Sequence, residues 1–291
     1  MVTGPALAFA AGAIALWSTN AFMARHLLTD HPLSLVQFLQ FTGAALVFLV
    51  IRRLSGVARP VPIRAGLVLT AIGLIGLVGT MVLQYLAFAL MPVVEANLIA
   101  YTWPLMVAAA VIATGGARRP VMLAVTAGVG FLGAALVITG GRDGTLLHGN
   151  LAGYAAALGS ALCMAFYTLA IGRFAASAER VLLPSALIGC AGTFIWCLYD
   201  GVTWHAGSEL LLGLYLGAGP MGLGYYFWSR AMQHDGSGKV ALAGYLTPVA
   251  STVLLGFAGE RLTVAAGIGG VLVVASCLAL GLERQEAATH V

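Results

Sequence analysis

Ten long apolar runs, separated by short clusters of Arg, Pro and Asp, constrain this chain more than any other feature of its sequence. The runs lie near residues 4–24, 32–51, 65–90, 93–113, 121–140, 149–171, 181–199, 209–231, 240–258 and 262–282. Each run is close to the roughly 20 residues that an α-helix needs to cross a bilayer. The short connections leave no room for a soluble domain. The sequence therefore predicts an all-α integral membrane protein with ten transmembrane helices.

The overall composition also favours lipid as the surroundings of the chain. Hydrophobic residues make up 60% of the sequence and charged residues only 8%, whereas soluble domains are about 25% charged. The formal net charge of +4 would also suit a nucleic-acid-binding protein. However, every basic residue except Lys239 is an arginine, and most lie in short loops between apolar runs. This arrangement indicates contacts with lipid headgroups, and we expect no nucleic acid partner.

The basic residues divide unequally when the connections are assigned alternately to the two membrane faces. One face receives Arg25, Arg142 and Arg261, and the other receives Arg52, Arg53, Arg59, Arg64, Arg118, Arg119, Arg173, Arg180, Arg230, Lys239 and Arg284. Because Lys and Arg concentrate in cytoplasmic loops, we expect both the N- and C-termini in the cytoplasm. Ten helices make two sets of five, and since five is odd, the second set enters the membrane inverted.

We therefore expect residues 1–145 and 146–291 to form two inverted five-helix repeats within one membrane domain. Transporters built in this way bind their substrate at the repeat interface, near the bilayer midplane. A short internal similarity supports the division, because Tyr101-x-x-Pro104 in the fourth run recurs as Tyr245-x-x-Pro248 in the ninth. Proline removes a backbone hydrogen bond from a helix, so the sequence predicts helix bends at Pro104 and Pro248.

The stretch from Met91 to Pro104 places polar and aromatic groups inside an otherwise apolar run. Glu95, Asn97, Tyr101 and Trp103 are among these groups. Asn97 and Tyr101 are four residues apart and share one helical face. We interpret this stretch as part of an intramembrane site.

Further motifs complete a family pattern. They are Trp17-Ser18-Thr19-Asn20 in the first run, the small-residue, Pro-centred fourth and ninth runs, and Gly259-Glu260-Arg261-Leu262-Thr263 after the ninth. With them, nearly the whole chain resembles the drug/metabolite transporter superfamily, in particular its ten-helix exporters made of two five-helix repeats. Glu95 ahead of Tyr101-Thr102-Trp103-Pro104 is most similar to the bacterial exporters of aromatic amino acids and methyl viologen.

This resemblance implies the function and the location of the protein. It implies a secondary transporter of the cell inner membrane that exports amino acids, aromatic ones in particular, from the cytoplasm by alternating access. It implies no bound cofactor. We expect a monomer, because two full repeats can form the transport path without a partner chain.

The predicted substrate-binding residues are aromatic and amide side chains well inside the runs. The aromatic candidates are Trp17, Tyr85, Tyr101, Trp103, Phe166, Tyr167, Tyr226 and Tyr245, and the amides are Asn20, Gln84 and Asn97. Together they would suit an aromatic or cationic ligand with an amino acid backbone. Each aromatic ring could instead serve only packing, and each amide could instead form a hydrogen bond between helices.

Glu95 is a further candidate, with two interpretations. A carboxylate within a membrane-spanning run is costly and therefore often functional, in substrate or proton binding. However, Pro92 suits a helix start, which would put Glu95 in the first turn, where the helix dipole stabilises a negative charge. If Glu95 is functional, the protein could instead be a proton-coupled exporter of cationic drugs or other metabolites on the same fold.

Other functions find no support in the sequence. Two Gly-x-Gly-x-x-Gly sequences, at 217–222 and 128–133, lie inside apolar runs without a preceding strand, so they indicate close helix packing and not a nucleotide site. The chain has no Gly-x-x-x-x-Gly-Lys loop for ATP. The runs contain no His, no Asp pair and no Cys–His pair, so we expect neither an enzyme nor a metal site.

Overall fold

The structure is a computed structural model that describes residues 3–56, 62–140, 149–173, 177–203, 207–235, 239–257 and 262–286. Within these ranges all regular elements are helical and there is no strand. The first half contains α1 (Gly4–Trp17), α2 (Asn20–Asp30), α3 (Leu33–Leu54), α4 (Ile63–Gly73), α5 (Thr80–Leu90), α6 (Val93–Ala100), α7 (Trp103–Ala113) and α8 (Pro120–Thr139). The second half contains α9 (Leu151–Arg173), α10 (Ala178–Tyr199), α11 (Ser208–Leu216), α12 (Gly224–Asp235), α13 (Leu246–Phe257) and α14 (Val264–Glu286).

Several of these helices join into longer stretches. Within the described ranges, 8 stretches are long and apolar enough to cross a membrane. Four are the single helices α3, α8, α9 and α10, and the others are α4–α5, α6–α7, α11–α12 and Lys239–Phe257, which ends with α13. Helix α1 and the first part of α14, Val264–Ala279, are shorter apolar helices. The prediction of an all-helical membrane protein is confirmed.

The outer surface of the bundle is apolar and its interior is rich in small residues. Ile195, Leu132 and Val271 are more than half exposed, with exposed fractions of 65%, 61% and 69%. Alanines such as Ala13, Ala134 and Ala186 are fully buried. Because lipid is as apolar as leucine, membrane helices associate through close contacts of small residues and not through burial of large ones. The observed distribution therefore fits a bundle surrounded by lipid.

Two of the stretches, Ile63–Leu90 and Ser208–Asp235, are 28 residues long, and each contains a π-helical segment. These segments are Leu74–Gly79 and Gly217–Leu223. Both are rich in glycine, and a Cβ atom on Gly76 or Gly217 would collide with the Tyr167 ring or the Gln40 carbonyl group, respectively. A π-helical turn holds one more residue than an α-helical turn, so each segment rotates the side chains that follow. Both segments lie where another helix approaches closely.

The two tyrosine–proline motifs coincide with interruptions of the α-helical structure. Helix α6 ends before Tyr101, and Pro104 is the second residue of α7. In the later motif a 3-10 segment, Lys239–Tyr245, leads into α13, whose third residue is Pro248. A third interruption, not predicted from a proline, separates α1 from α2 at Ser18 and Thr19. The hydroxyl groups of Ser18 and Thr19 donate to backbone carbonyls three residues earlier, at 2.7 and 2.8 Å.

The helices pack in a small number of extensive pairs. The largest contacts join α8 to α14, α3 to α10, α1 to α12 and α5 to α9. Glycine allows the closest of these approaches, because a Cβ atom on Gly133 of α8 would lie 2.7 Å from the Gly269 carbonyl oxygen of α14. Gly133 ends the second Gly-x-Gly-x-x-Gly sequence, which therefore lies at a helix–helix contact.

Candidate functional site

A cavity of about 410 Å³ lies inside the bundle, where the interrupted helices meet. Its wall is formed by the break between α1 and α2, by α5, α6, α7 and α9, by the end of α8, and by the chain from the second π-helical segment through α13 into α14. Ligand pockets commonly have volumes of about 300–1,000 Å³. The cavity therefore has room for a small organic molecule.

Two indole rings line one side of the cavity, and a third holds them in place. Trp17 and Trp103 line the cavity. The ring of Trp228, which is fully buried behind them, lies 5.2 Å from the Trp17 ring and 5.4 Å from that of Trp103, nearly perpendicular to the latter. The Nε1 atom of Trp228 donates to the Thr168 hydroxyl at 3.1 Å. Such ring pairs add to the stability gained from burial alone, so Trp228 supports both indoles of the wall.

Each of the lining indoles is also fixed by a contact of its own. The Nε1 atom of Trp17 donates to the carbonyl oxygen of Pro220 at 2.9 Å, in the second π-helical segment. The Trp103 ring lies against Gly244, where a Cβ atom would be in collision with it. The Trp17 hydrogen bond thus connects the break between α1 and α2 to the α11–α12 stretch, and the Trp103 ring packs the start of α7 against the 3-10 segment.

Phenol and hydroxyl groups add polar atoms to this wall. Tyr101 and Tyr225 both line the cavity. Thr247 lies beside the Tyr101 hydroxyl and Thr80 beside that of Tyr225. Within the described part of the chain, neither threonine hydroxyl reaches the geometry of a hydrogen bond, although both are buried. A buried hydroxyl without a partner carries a free-energy cost, and both threonine oxygens are closed off from the cavity by the surrounding packing.

Three amide side chains line the same cavity: Asn20, Gln84 and Asn97. Asn20 starts α2, Gln84 lies in α5 and Asn97 in α6. All lining residues that the structure describes are uncharged. The described wall therefore combines aromatic faces with neutral donors and acceptors of hydrogen bonds.

The structure brings together six of the predicted substrate-binding residues in this cavity: Trp17, Asn20, Gln84, Asn97, Tyr101 and Trp103. Pro248 lines it as well, and Pro104 is buried at the start of α7. Tyr85, Tyr167 and Tyr245 are fully buried in the packing around it. Phe166 is 42% exposed, and the ring of Tyr226 packs on that of Phe227 at 6.0 Å. None of these last five residues lines the cavity.

Glu95 also lies outside the cavity wall. It is buried in the first turn of α6, and its Oε2 atom accepts a hydrogen bond of 2.6 Å from the Tyr154 hydroxyl. Tyr154 belongs to α9, and its hydroxyl in turn accepts from the Gly149 amide at 3.2 Å. The described contacts of Glu95 thus connect α6 to the start of α9. Glu260 and Arg261 of the family motif lie outside the described residues.

Sequence reasoning missed the lining residues Tyr225, Thr80 and Thr247, and the supporting residue Trp228. The helical period identifies a face only when the helix is regular, and the second π-helical segment shifts the phase immediately before Tyr225. A shift of one position along the helix is enough to turn Tyr225, and not Tyr226, toward the cavity. The glycines and the proline of that segment were the available signal for an irregular helix.

The comparisons with known proteins agree with this architecture. The model of the EamA-like transporter family matches residues 151–282. The aromatic amino acid exporter YddG of Ancylobacter novellus is 32% identical over 273 residues, which is 92% of this chain and 92% of that protein. A solved crystal structure with 29% identity matches 97% of both chains with a TM-score of 0.81. The chain belongs to the EamA-like transporter family of the drug/metabolite transporter superfamily.

Proposed function

We propose that this protein is a secondary transporter that exports aromatic amino acids from the cytoplasm by alternating access. The observation that carries the proposal is the cavity of about 410 Å³, whose lining includes two indoles, two phenols and three amides. The name of the similar protein from Ancylobacter novellus, an aromatic amino acid exporter, supports the same substrate class. The family and this relative favour transport over enzymatic catalysis.

The chemistry of the wall fits both parts of such a substrate. Aromatic rings prefer edge-to-face or offset contacts with other rings, which Trp17, Trp103, Tyr101 and Tyr225 offer to a ligand side chain. The three amides offer hydrogen bonds to its ammonium and carboxylate groups. A zwitterion carries both an ammonium and a carboxylate group, and each needs hydrogen-bond partners when it leaves water, which neutral amides can supply.

We infer ten membrane-spanning helices, with α1–α2 as the first and α14 as the tenth, in two inverted repeats of 1–145 and 146–291. Several packing facts support the repeat. In the two proposed repeats, α1 and α5 of the first correspond to α9 and α12 of the second, so the α1–α12 contact corresponds to the α9–α5 contact. Helix α3 corresponds to α10 and α8 to α14, so each of these two contacts joins a helix to its own counterpart. The two 28-residue stretches with π-helical segments are also counterparts. The boundary at 145–146 lies outside the described residues.

Alternating access would follow from this arrangement. The cavity wall takes residues from both proposed repeats, and several of them lie next to helix interruptions, among them Asn20, Tyr101 and Thr247. Rocking of one repeat against the other around a fixed site would open the cavity to each side in turn. We infer that the protein works in the bacterial inner membrane, as a monomer, with both termini in the cytoplasm.

The alternative, a proton-coupled exporter of cationic drugs, requires a carboxylate near the ligand. Glu95 is the candidate from the sequence, but it lies outside the cavity wall and is hydrogen-bonded to Tyr154. We therefore expect Glu95→Gln to retain amino acid transport. Transport of methyl viologen that disappears in this variant would instead favour the cation exporter.

The test of the proposed function is calorimetric titration of the purified protein with phenylalanine and threonine. We expect phenylalanine to bind at least about tenfold more tightly, because only its ring gains contacts with the aromatic wall. Trp103→Ala should remove this preference, since truncation of a central buried aromatic residue is among the most damaging changes to a binding site. Equal affinity for both ligands in the wild-type protein would overturn the aromatic assignment.

A further inference from the structure

A chain of buried hydrogen bonds runs from α3 through α5 to the cavity. Gln37 Nε2 donates to Gln40 Oε1 at 2.7 Å, Gln40 Nε2 donates to the Tyr85 hydroxyl at 2.6 Å, and Tyr85 donates to Asn20 Oδ1 at 2.9 Å. Gln37, Gln40 and Tyr85 are fully buried, and of the four residues only Asn20 lines the cavity. The chain therefore has a single end that a ligand can reach.

The direction of these hydrogen bonds sets the orientation of the Asn20 amide. A tyrosine hydroxyl has one hydrogen to donate. Because the Tyr85 hydroxyl accepts from Gln40, that hydrogen goes to Asn20, and the Asn20 oxygen is engaged away from the cavity. Within the described part of the chain, the Asn20 nitrogen makes no hydrogen bond. Its NH₂ group is thus left for the cavity.

The other two cavity amides lack such a constraint. The side chains of Gln84 and Asn97 line the cavity and form no hydrogen bond with described residues. Either end of each amide can therefore turn toward a ligand. Among the three cavity amides, Asn20 alone has its donor and acceptor ends assigned by the protein.

We propose that the chain Gln37–Gln40–Tyr85 fixes Asn20 as a hydrogen-bond donor that selects a carboxylate on the ligand. The inference rests on the proposed function, because it names the group of the amino acid that this site recognises. Gln40 and Tyr85 act through Asn20 and are positioning residues. A preorganised donor loses no orientational freedom when the ligand binds, and a hydrogen bond to an ionised group is about twice as strong as a neutral one.

The experiment compares two probes that differ only in the carboxylate. Phenylalanine and phenethylamine share the ring and the ammonium group, and each is titrated into the purified full-length protein by calorimetry. The measured quantity is the ratio of the two dissociation constants. We expect the wild-type protein to bind phenylalanine at least about tenfold more tightly than phenethylamine.

Tyr85→Phe removes the hydroxyl that holds the Asn20 oxygen, with little change in shape. We expect it to weaken phenylalanine binding about tenfold and to leave phenethylamine binding nearly unchanged, so that the ratio approaches one. Gln40→Leu breaks the chain one step earlier and should reduce the ratio by a smaller factor. Tyr167→Phe is the matched control, because it removes a hydrogen bond of 2.6 Å between fully buried Tyr167 and Ser229 but touches no cavity amide. It should leave the ratio unchanged.

The outcomes separate this inference from the proposed function. A wild-type protein that prefers phenylalanine, with the same ratio in Tyr85→Phe and Gln40→Leu, overturns the inference and leaves the proposed function standing. A wild-type protein that prefers phenethylamine, or binds no carboxylate, overturns the inference directly. If threonine binds more tightly than phenylalanine, the aromatic assignment is wrong. In that case the ratio of dissociation constants is measured with threonine and its decarboxylated amine. A lower ratio in Tyr85→Phe than in the wild-type protein supports the inference, and an unchanged ratio overturns it.

Discussion

At the residue scale, the contact between Trp103 and Gly244 shows how a backbone position shapes the cavity. The indole occupies the space that any Cβ atom at position 244 would need. Glycine is therefore required there to seat the ring, and the ring in turn forms part of the wall.

This contact predicts the effect of Gly244→Ala. The added methyl group must displace the Trp103 indole, so we expect phenylalanine affinity to fall about tenfold, the typical order for a disturbed buried aromatic contact. Calorimetric titration measures the change. Gly192→Ala is the control, since a Cβ atom there meets nothing within 4 Å and affinity should not change. Unchanged affinity in Gly244→Ala would show that the position of Trp103 does not matter for binding.

The sequence predicted the residue types at the site better than their exact positions. Trp17, Asn20, Tyr101 and Trp103 could be identified because each stands inside an apolar run or beside its interruption. Phe166 could not be distinguished from a cavity residue, because its orientation depends on the rotation of α9 within the bundle. That rotation is set by packing against other helices, which a local pattern does not contain.

At the scale of elements, the second π-helical segment brings the backbone of α11–α12 against α3. A Cβ atom on Gly43 of α3 would lie 2.8 Å from the Ala218 nitrogen and would also collide with the Leu214 carbonyl oxygen. The opposing atoms belong to the backbone, so no side chain can move aside to make room for an added Cβ atom. The contact should therefore stabilise the fold directly.

Gly43→Ala should consequently lower thermal stability. Insertion of a methyl group into a close-packed contact costs about 1–3 kcal/mol, and we expect the melting temperature in detergent to fall by about 5 °C. Fluorescence-detected size-exclusion chromatography after heating provides the measurement. Gly66→Ala in α4 serves as the control, since its Cβ atom would meet nothing within 4 Å. Equal melting temperatures for the two variants would argue against this close approach.

The sequence indicated some of the irregular elements but not the kind of irregularity in each. The Gly-x-Gly-x-x-Gly sequence at 217–222 predicted close helix packing, and a π-helical segment lies there. The first π-helical segment, Leu74–Gly79, carries no proline and was not predicted. Its extra residue per turn is stabilised by neighbouring helices, such as α9 through Tyr167, and such contacts cannot be read from one segment.

At the scale of the whole molecule, the all-helical membrane fold followed from hydropathy, because a bilayer admits few alternatives for long apolar runs. The number of membrane-spanning helices follows less directly from hydropathy. Helix α1 has 14 residues and is separated from α2 by Ser18 and Thr19, so by length alone it falls short of a spanning helix. In the proposed inverted repeat, α1–α2 is the counterpart of α9 and counts as one span.

The proposed ten-helix topology, with both termini in the cytoplasm, predicts on which side of the membrane every loop lies. Ser55, after α3, should face the cytoplasm, and Thr145, the last residue of the first proposed repeat, should face the opposite side. In a cysteine-free background, a membrane-impermeant maleimide added to intact cells should label Thr145→Cys and not Ser55→Cys. Labelling of both variants after cell lysis provides the control. The opposite pattern in intact cells, or labelling of both positions, would contradict the proposed topology.

The most direct test of the central claim is counterflow of radiolabelled phenylalanine in liposomes that contain the purified protein. We predict that vesicles preloaded with unlabelled phenylalanine accumulate the label with the wild-type protein and with Glu95→Gln. Accumulation should fall at least about tenfold with Trp103→Ala, because this residue lines the cavity. Absence of phenylalanine counterflow in the wild-type protein, or full activity of Trp103→Ala, would contradict the assignment of the aromatic cavity as the transport site.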